Sequence, residues 1–275
     1  MSFVVDGDWY NFSVPTPFYH LNVAKSLISL PGYQAGIKDV INTYQSTFLL
    51  GHVAPDIRVI SGQTRESTHF YKFPPSDNDL LPWERMQNVY LTSDCMARSD
   101  PECAVFVAGY LCHLQADWLW VKNIYEPYFV YGSHWGTFSN REYMHNVLRS
   151  YLDLLVVKSI KSETLFILAK ANPKSWMPFL SVCDLFAWRD FLVDQLKSDA
   201  PIQTVEIFAS RQGISVENYY RLLNAEDEIQ DQIFSHMPKD LIDEYWHALM
   251  AKNIDLLNRF LGKARGVSNA SSKFF

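Results

Sequence analysis

Between residues 101 and 124 the chain carries a stretch that is apolar on nearly every helical face, running Ala-Val-Phe-Val-Ala-Gly-Tyr-Leu-Cys-His-Leu from Ala104. Asp100 and Pro101 open it, the first suited to an N-cap and the second to the first helical position, so a helix over 101–124 is predicted. A helix that is apolar all round belongs in the middle of a fold, and the rest of the chain has to wrap it. With 275 residues, 48% of them hydrophobic, the material for such a shell is present. Into this helix the sequence sets His113 and Asp117. Four residues apart, they share one face. An ionised aspartate there is costly unless something pairs with it. The pair is either a His–Asp hydrogen bond that supports the core or two ligands of a metal ion.

The shell itself reads as helical. Pro15 and Pro17 precede apolar residues at helical spacing, which predicts a helix over 17–30 that ends at Pro31 and Gly32. A second is predicted over 33–46. Residues 48–57 are read as turning at Gly51 and Pro55. Gly62 and Pro74-Pro75 confine 63–72 to a short helix, 76–82 reads as a polar loop, and Pro82 starts a helix to about residue 93. Ser139 or Asn140 caps a helix over 140–157, and helical patterns continue at 162–171, 181–197, 203–212, 215–235 and 239–262. There is no strand-like alternation and no internal repeat. The expected fold class is all-α, a multi-helix bundle around a His/Asp metal site with extra C-terminal helices. Asn172 to Pro178 marks the expected boundary: 1–172 as the metal-site domain, 173–263 as a helical extension packed on it, and 264–275 as a frayed tail.

Composition removes several classes. A formal net charge of −6 argues against general nucleic-acid binding. The four cysteines, Cys95, Cys103, Cys112 and Cys183, include no C-x-x-C pair, so neither a thiolate zinc finger nor a disulfide scaffold is expected. The first residues carry Asp6 and Asp8 and no Lys or Arg before Lys25, unlike a signal peptide. Apolar runs such as 152–157 are too short to span a bilayer. A cytoplasmic location is the resulting expectation.

Three further residues strengthen the metal reading: His20 on the first helix, Asp56 in the Gly–Pro segment, and His69 in a short helical segment, each among aromatic or apolar neighbours. Imidazoles and carboxylates without thiolate suit zinc or another first-row divalent ion at a catalytic site. His52, one residue past Gly51, either bonds the loop or approaches the metal.

The segments Phe18-Tyr-His20, Phe48-Leu-Leu-Gly-His-Val-Ala-Pro-Asp56-Ile, Glu66-Ser-Thr-His69-Phe and Ala108-Gly-Tyr-Leu-Cys-His113-Leu-Gln-Ala-Asp117, in that order, resemble the zinc-dependent phospholipase C family, whose wider superfamily includes single-strand nucleases. The resemblance is concentrated in residues 15–125. It implies an all-helical fold and a cluster of up to three zinc ions. By position it implies that Asp56, His69, His113 and Asp117 hold one zinc, and that Asp117 bridges to a second, also bound by His20. In the family that second ion also takes the amino-terminal residue of the processed chain. Residues 1–19 precede His20 here with no visible leader, so that ligand is expected to be missing. For the third ion Lys122 and Asn123 fall where a histidine would be needed, leaving His134, Glu142 and His145 as candidates at irregular spacing. One or two ions are expected. The implied activity is hydrolysis of a small-molecule or lipid phosphate ester by metal-activated hydroxide, with Asp56 helping to orient or deprotonate water.

Other arrangements compete. A non-catalytic descendant would keep a structural metal and bind a partner. Glu66-x-x-His69 and Glu142-x-x-His145 together would suit a di-iron carboxylate protein, if long helices carried both. Trp118, Trp120, Tyr125, Tyr128, Tyr131 and Trp135 are read as core and rim packing or as a cation–π pocket for a choline-like headgroup. His236 and His247 are read as structural.

Overall fold

The structure is a computed structural model and describes residues 16–73, 80–91, 100–197, 200, 203–211 and 213–271. The N-terminal stretch read for a leader, the Pro74-Pro75 stop, most of the polar loop after it and the extreme C-terminus lie outside the described residues. Among the described residues there is no strand. The chain runs through α1 (Pro17–Ser29), α2 (Ile37–Thr43), α3 (Gln45–Val53), a 3₁₀ turn at Ala54–Ile57, α4 (Arg58–Ser61), α5 (Arg65–His69) and α6 (Pro82–Tyr90). It continues through α7 (Pro101–Trp120), a wider winding over Val121–Val130, α8 (Phe138–Ala169), α9 (Val182–Gln195), α10 (Gln203–Arg211), α11 (Val216–Asn224), α12 (Glu226–Ile229) and α13 (Asp240–Ser271). None of the described helices is long and apolar enough to cross a membrane.

Helix α7 is the axis of the fold. Asp100 caps it, accepting from the Glu102 N–H at 3.0 Å, and every residue from Cys103 to Asp117 is buried. Helix α3 crosses it at two glycines. A Cβ on Gly51 would lie 2.2 Å from the Phe106 carbonyl oxygen, and one on Gly109 would lie 2.5 Å from the Phe48 carbonyl oxygen and 2.9 Å from the His52 nitrogen. Gly51 therefore does not turn the chain, as its sequence context predicts. It stays helical, and its missing side chain lets two backbones touch.

The other elements lock onto this crossing. Asp153 of α8 accepts from the Thr16 hydroxyl and, at 3.2 Å, from the Tyr19 N–H, satisfying first-turn donors of α1. The indole N–H of Trp188 on α9 donates to the Val53 carbonyl at the end of α3 (2.8 Å). On the opposite side Tyr245 of α13 donates to the Ala116 carbonyl at 3.1 Å and meets Trp120 edge-on at 5.4 Å.

Several boundaries differ from the sequence expectation, among them the helix expected over 33–46, which is Ile37–Thr43, and the one expected over 215–235, which breaks at Ala225. Past Trp120 the helix widens rather than stops, and the Tyr131 N–H reaches back five residues to the Glu126 carbonyl (2.9 Å), a winding that accommodates Pro127. The segments expected at 140–157 and 162–171 form one helix, capped by Thr137 rather than Ser139 or Asn140. Gly262 does not end α13, which continues to Ser271.

Candidate metal centre

Five residues from four segments gather around one carboxylate, that of Asp117. His20 comes from the first turn of α1, Asp56 from the 3₁₀ turn after α3, His69 from the last residue of α5, and His113 and Asp117 from α7. Asp117 Oδ1 lies 3.2 Å from His20 Nε2. Its Oδ2 lies 3.2 Å from His69 Nε2 and 3.6 Å from His113 Nε2. His69 Nε2 is 3.5 Å from Asp56 Oδ1. The His20 and His113 rings stack with centroids 3.7 Å apart. All three imidazoles and Asp117 are fully buried, and the Asp56 side chain keeps 12% of its exposure.

Local structure aims these groups. His113 Nδ1 lies 2.9 Å from the His52 carbonyl oxygen, an acceptor only, so Nδ1 carries the proton and the Nε2 lone pair faces the cluster. His69 Nδ1 is 2.8 Å from the Thr68 hydroxyl, whose own proton is directed to the Arg65 carbonyl at 3.4 Å, so the same tautomer is favoured. Tyr110, one turn before His113, donates to the Thr68 carbonyl at 2.6 Å and ties α5 to α7. Directly after His69, Phe70 takes a left-handed conformation with φ of 61°. An aromatic residue there stores about 1–3 kcal/mol of strain. Contacts of its ring with Phe179 (5.4 Å) and Tyr90 (5.8 Å) hold it, and the turn directs His69 inward.

The charge states suit a cation. Burial pushes His20, His52 and His69 below the ordinary imidazole range, with neighbouring imidazoles adding to the effect at His20 and His52 and the Arg65 charge at His69. Burial also opposes charge on His113, but the Asp117 carboxylate outweighs it and raises that ring's pKa. Burial would likewise protonate the acids. Instead His69 and His113 hold Asp56 at about 2, and His113 above all holds Asp117 well below the usual carboxylate range. His69 Nε2 and His113 Nε2 stand 3.3 Å apart. Two lone pairs at that distance need a proton or a metal ion between their owners.

Donor atoms of Asp56, His69 and His113 lie within 4.8 Å of one another, as do those of His20, His52 and His113. The buried Asp117 Oδ1 and both ring nitrogens of His20 have no hydrogen-bond partner. Imidazole nitrogens and carboxylate oxygens gathered in this way, with no thiolate among them, are a donor set that zinc takes. Asp56, His69, His113 and Asp117 could hold one ion, with His20 on the other oxygen of Asp117.

Arg65 is the member that sequence reading missed. Its Nη2 donates to Asp117 Oδ2 at 2.7 Å and to the Tyr71 hydroxyl at 2.8 Å. Its spacing, four residues before His69 on a helix, is the signal that put it on the cluster's face.

His134, Glu142 and His145 are not gathered in. His134 stacks on His236 at 5.2 Å on the exposed surface. Glu142 accepts from Tyr125 at 2.6 Å. Buried His145 accepts the Trp120 indole N–H at 2.9 Å. His145→Gln, which keeps an acceptor, is accordingly expected to leave zinc content unchanged by elemental analysis. Glu66 points outward in an ion pair with Lys72 (3.5 Å), so the two Glu-x-x-His units do not face each other as a di-iron site requires. Of the aromatic set, Trp120, Tyr125 and Trp135 are buried in the core while Tyr131 is 74% exposed, so these rings do not form a cage.

Comparison with known proteins agrees with this geometry. A search of curated proteins found no match to the chain, and a search of solved structures found none. The family model described as zinc dependent phospholipase C matches residues 16–189, which include His20, Asp56, His69, His113 and Asp117 and run past residue 125 to α9, whose Trp188 pins α3. With its buried His/Asp cluster and that match over most of its length, the chain belongs to the zinc-dependent phospholipase C family.

Proposed function

We propose that the chain is a zinc-dependent hydrolase of phosphate esters, acting on the phosphoester of a phospholipid headgroup. The observation that carries this reading is the convergence of His20, His69 and His113 on the carboxylate of Asp117, with Asp56 beside His69. Asp56, His69, His113 and Asp117 would hold one zinc, and His20 with Asp117 would contribute to another. A bound zinc acidifies water and polarises phosphoryl oxygens.

The chain's own residues supply the rest. Asp56 is the ligand nearest solvent, with 12% side-chain exposure. Its carboxyl titrates at about 2, so it is a weak proton acceptor near neutral pH and serves chiefly to orient the attacking water. Arg65, also 12% exposed, fixes a positive charge beside Asp117 and attracts an anionic ester to that edge. Hydrolysis joins the water oxygen to phosphorus, breaks the P–O bond to the leaving alcohol and returns a proton to that alcohol.

Zinc-loaded protein is expected to hydrolyse phosphatidylcholine vesicles and a chromogenic phosphodiester, to stop on chelation, to recover with added zinc or manganese, and to collapse in His20→Ala. Turnover indifferent to chelator and to His20→Ala overturns the mechanism. The complete burial of the imidazoles favours a second reading, a non-catalytic descendant with a structural metal. Tightly held zinc with no turnover on any phosphate ester would select it.

A further inference from the structure

His52 has no part in the site described above beyond its backbone carbonyl, yet its ring is fully buried and neither Nδ1 nor Nε2 has a hydrogen-bond partner. The same holds for both nitrogens of His20, whose ring centroid is 5.7 Å from that of His52. A buried polar atom left unpaired costs stability, because it has given up water and gained nothing in return. Two adjacent imidazoles, with only Asp117 Oδ1 facing one of their four nitrogens, are a heavy burden for a core that apolar residues would fill at no such cost. We propose that His52 is a further ligand of the second ion, beside His20 and Asp117 Oδ1. The proposal rests on the zinc reading above and assigns His52 a ligand role.

The geometry separates the two subsites. One nitrogen of each of His20, His52 and His113 lies within 4.8 Å of the others. His113, however, has its Nδ1 engaged by the His52 carbonyl and its Nε2 turned to His69 and to Asp117 Oδ2. It therefore stays with Asp56 and His69. What remains for the second ion is His52, His20 and Asp117 Oδ1, the last 3.2 Å from His20 Nε2 but not hydrogen-bonded to it. Phe48 packs roughly perpendicular to His52, with ring centroids 5.9 Å apart, and offers no polar atom to a water molecule. Neutral imidazole donors favour zinc over magnesium or calcium. The Arg65 charge on Asp117 and the shortage of anionic ligands make the second ion the weaker of the two.

The substitution His52→Ala removes the ring and keeps the carbonyl that orients His113, so the two subsites can be tested apart. Apo protein titrated with zinc alone against a competing chromophoric chelator is expected to take up two ions per chain in two steps. His52→Ala and His52→Phe are expected to lose the weaker step and to keep the tighter one. Cobalt(II) titration of the unaltered protein, followed by its visible spectrum, is expected to show the same two steps without relying on any variant's folding. A single step in the unaltered protein, or two unchanged steps in a folded His52→Ala, overturns the proposal while leaving the first site standing. No zinc or cobalt uptake at all overturns both readings.

Discussion

With Asp117 replaced by alanine, the purified protein is expected to carry little zinc and to lose about 3–5 kcal/mol of stability, the usual consequence of leaving one member of a buried ion pair alone. The stranded partner is Arg65, whose side chain is 12% exposed and whose Nη2 rests on Asp117 Oδ2. The same carboxylate faces His20, His69 and His113, so the substitution also removes the one group that both proposed ions share. Asp117→Asn keeps the shape and discards the charge. It is expected to recover part of the stability and almost none of the zinc. Elemental analysis and urea unfolding, read together, check both statements. Full zinc content in Asp117→Ala would mean that this carboxylate is not the hub of the site.

Gly109→Ala is expected to destabilise the fold by about 3 kcal/mol or more, at the upper end for overpacking by a single methyl. That corresponds to a fall in melting temperature of roughly 6–12 °C for a domain of this size. The new methyl would meet the Phe48 carbonyl at 2.5 Å and the His52 nitrogen at 2.9 Å, both backbone atoms of a packed helix that cannot swing aside. To relieve the overlap α3 must move off α7, and the His52 carbonyl then leaves His113 Nδ1. Zinc affinity should fall with stability. Gly262→Ala is the control: its methyl meets only the Gln34 side-chain oxygen at 3.2 Å, and alanine is the better helix former, so a change below about 1 kcal/mol is expected.

The site residues that sequence reading found are those whose signal is local. His113 and Asp117 share a face by spacing alone, and the prolines at 17, 82 and 101 mark where α1, α6 and α7 begin. What was illegible depends on partners distant in sequence. Gly51 has the signature of a turn, and only the approach of Phe106 from α7 shows why a helical position lacks a side chain. Arg65 has its spacing to His69 as a local signal, but its role shows only once Asp117 is placed beside it. The break expected between 157 and 162 is absent, and Ser159, Ser162 and Glu163 lie exposed on one continuous helix. The family match extends past residue 125 into α9, whose Trp188 steadies α3 without belonging to a metal-binding motif.

The contact between Tyr245 and α7 has a consequence for what evolution can trim. The family match stops at residue 189, yet Tyr245 lies in the last quarter of the chain and touches the carbonyl of Ala116, the residue immediately before the shared carboxylate. Trp120 leans on the same tyrosine, and Asn253, about two turns further along α13, is fully buried. A lineage that shed the C-terminal helices would keep every proposed ligand and still bare the flank of the helix that bears two of them. The helix that bears the cluster is therefore braced by a segment that lies beyond the family match.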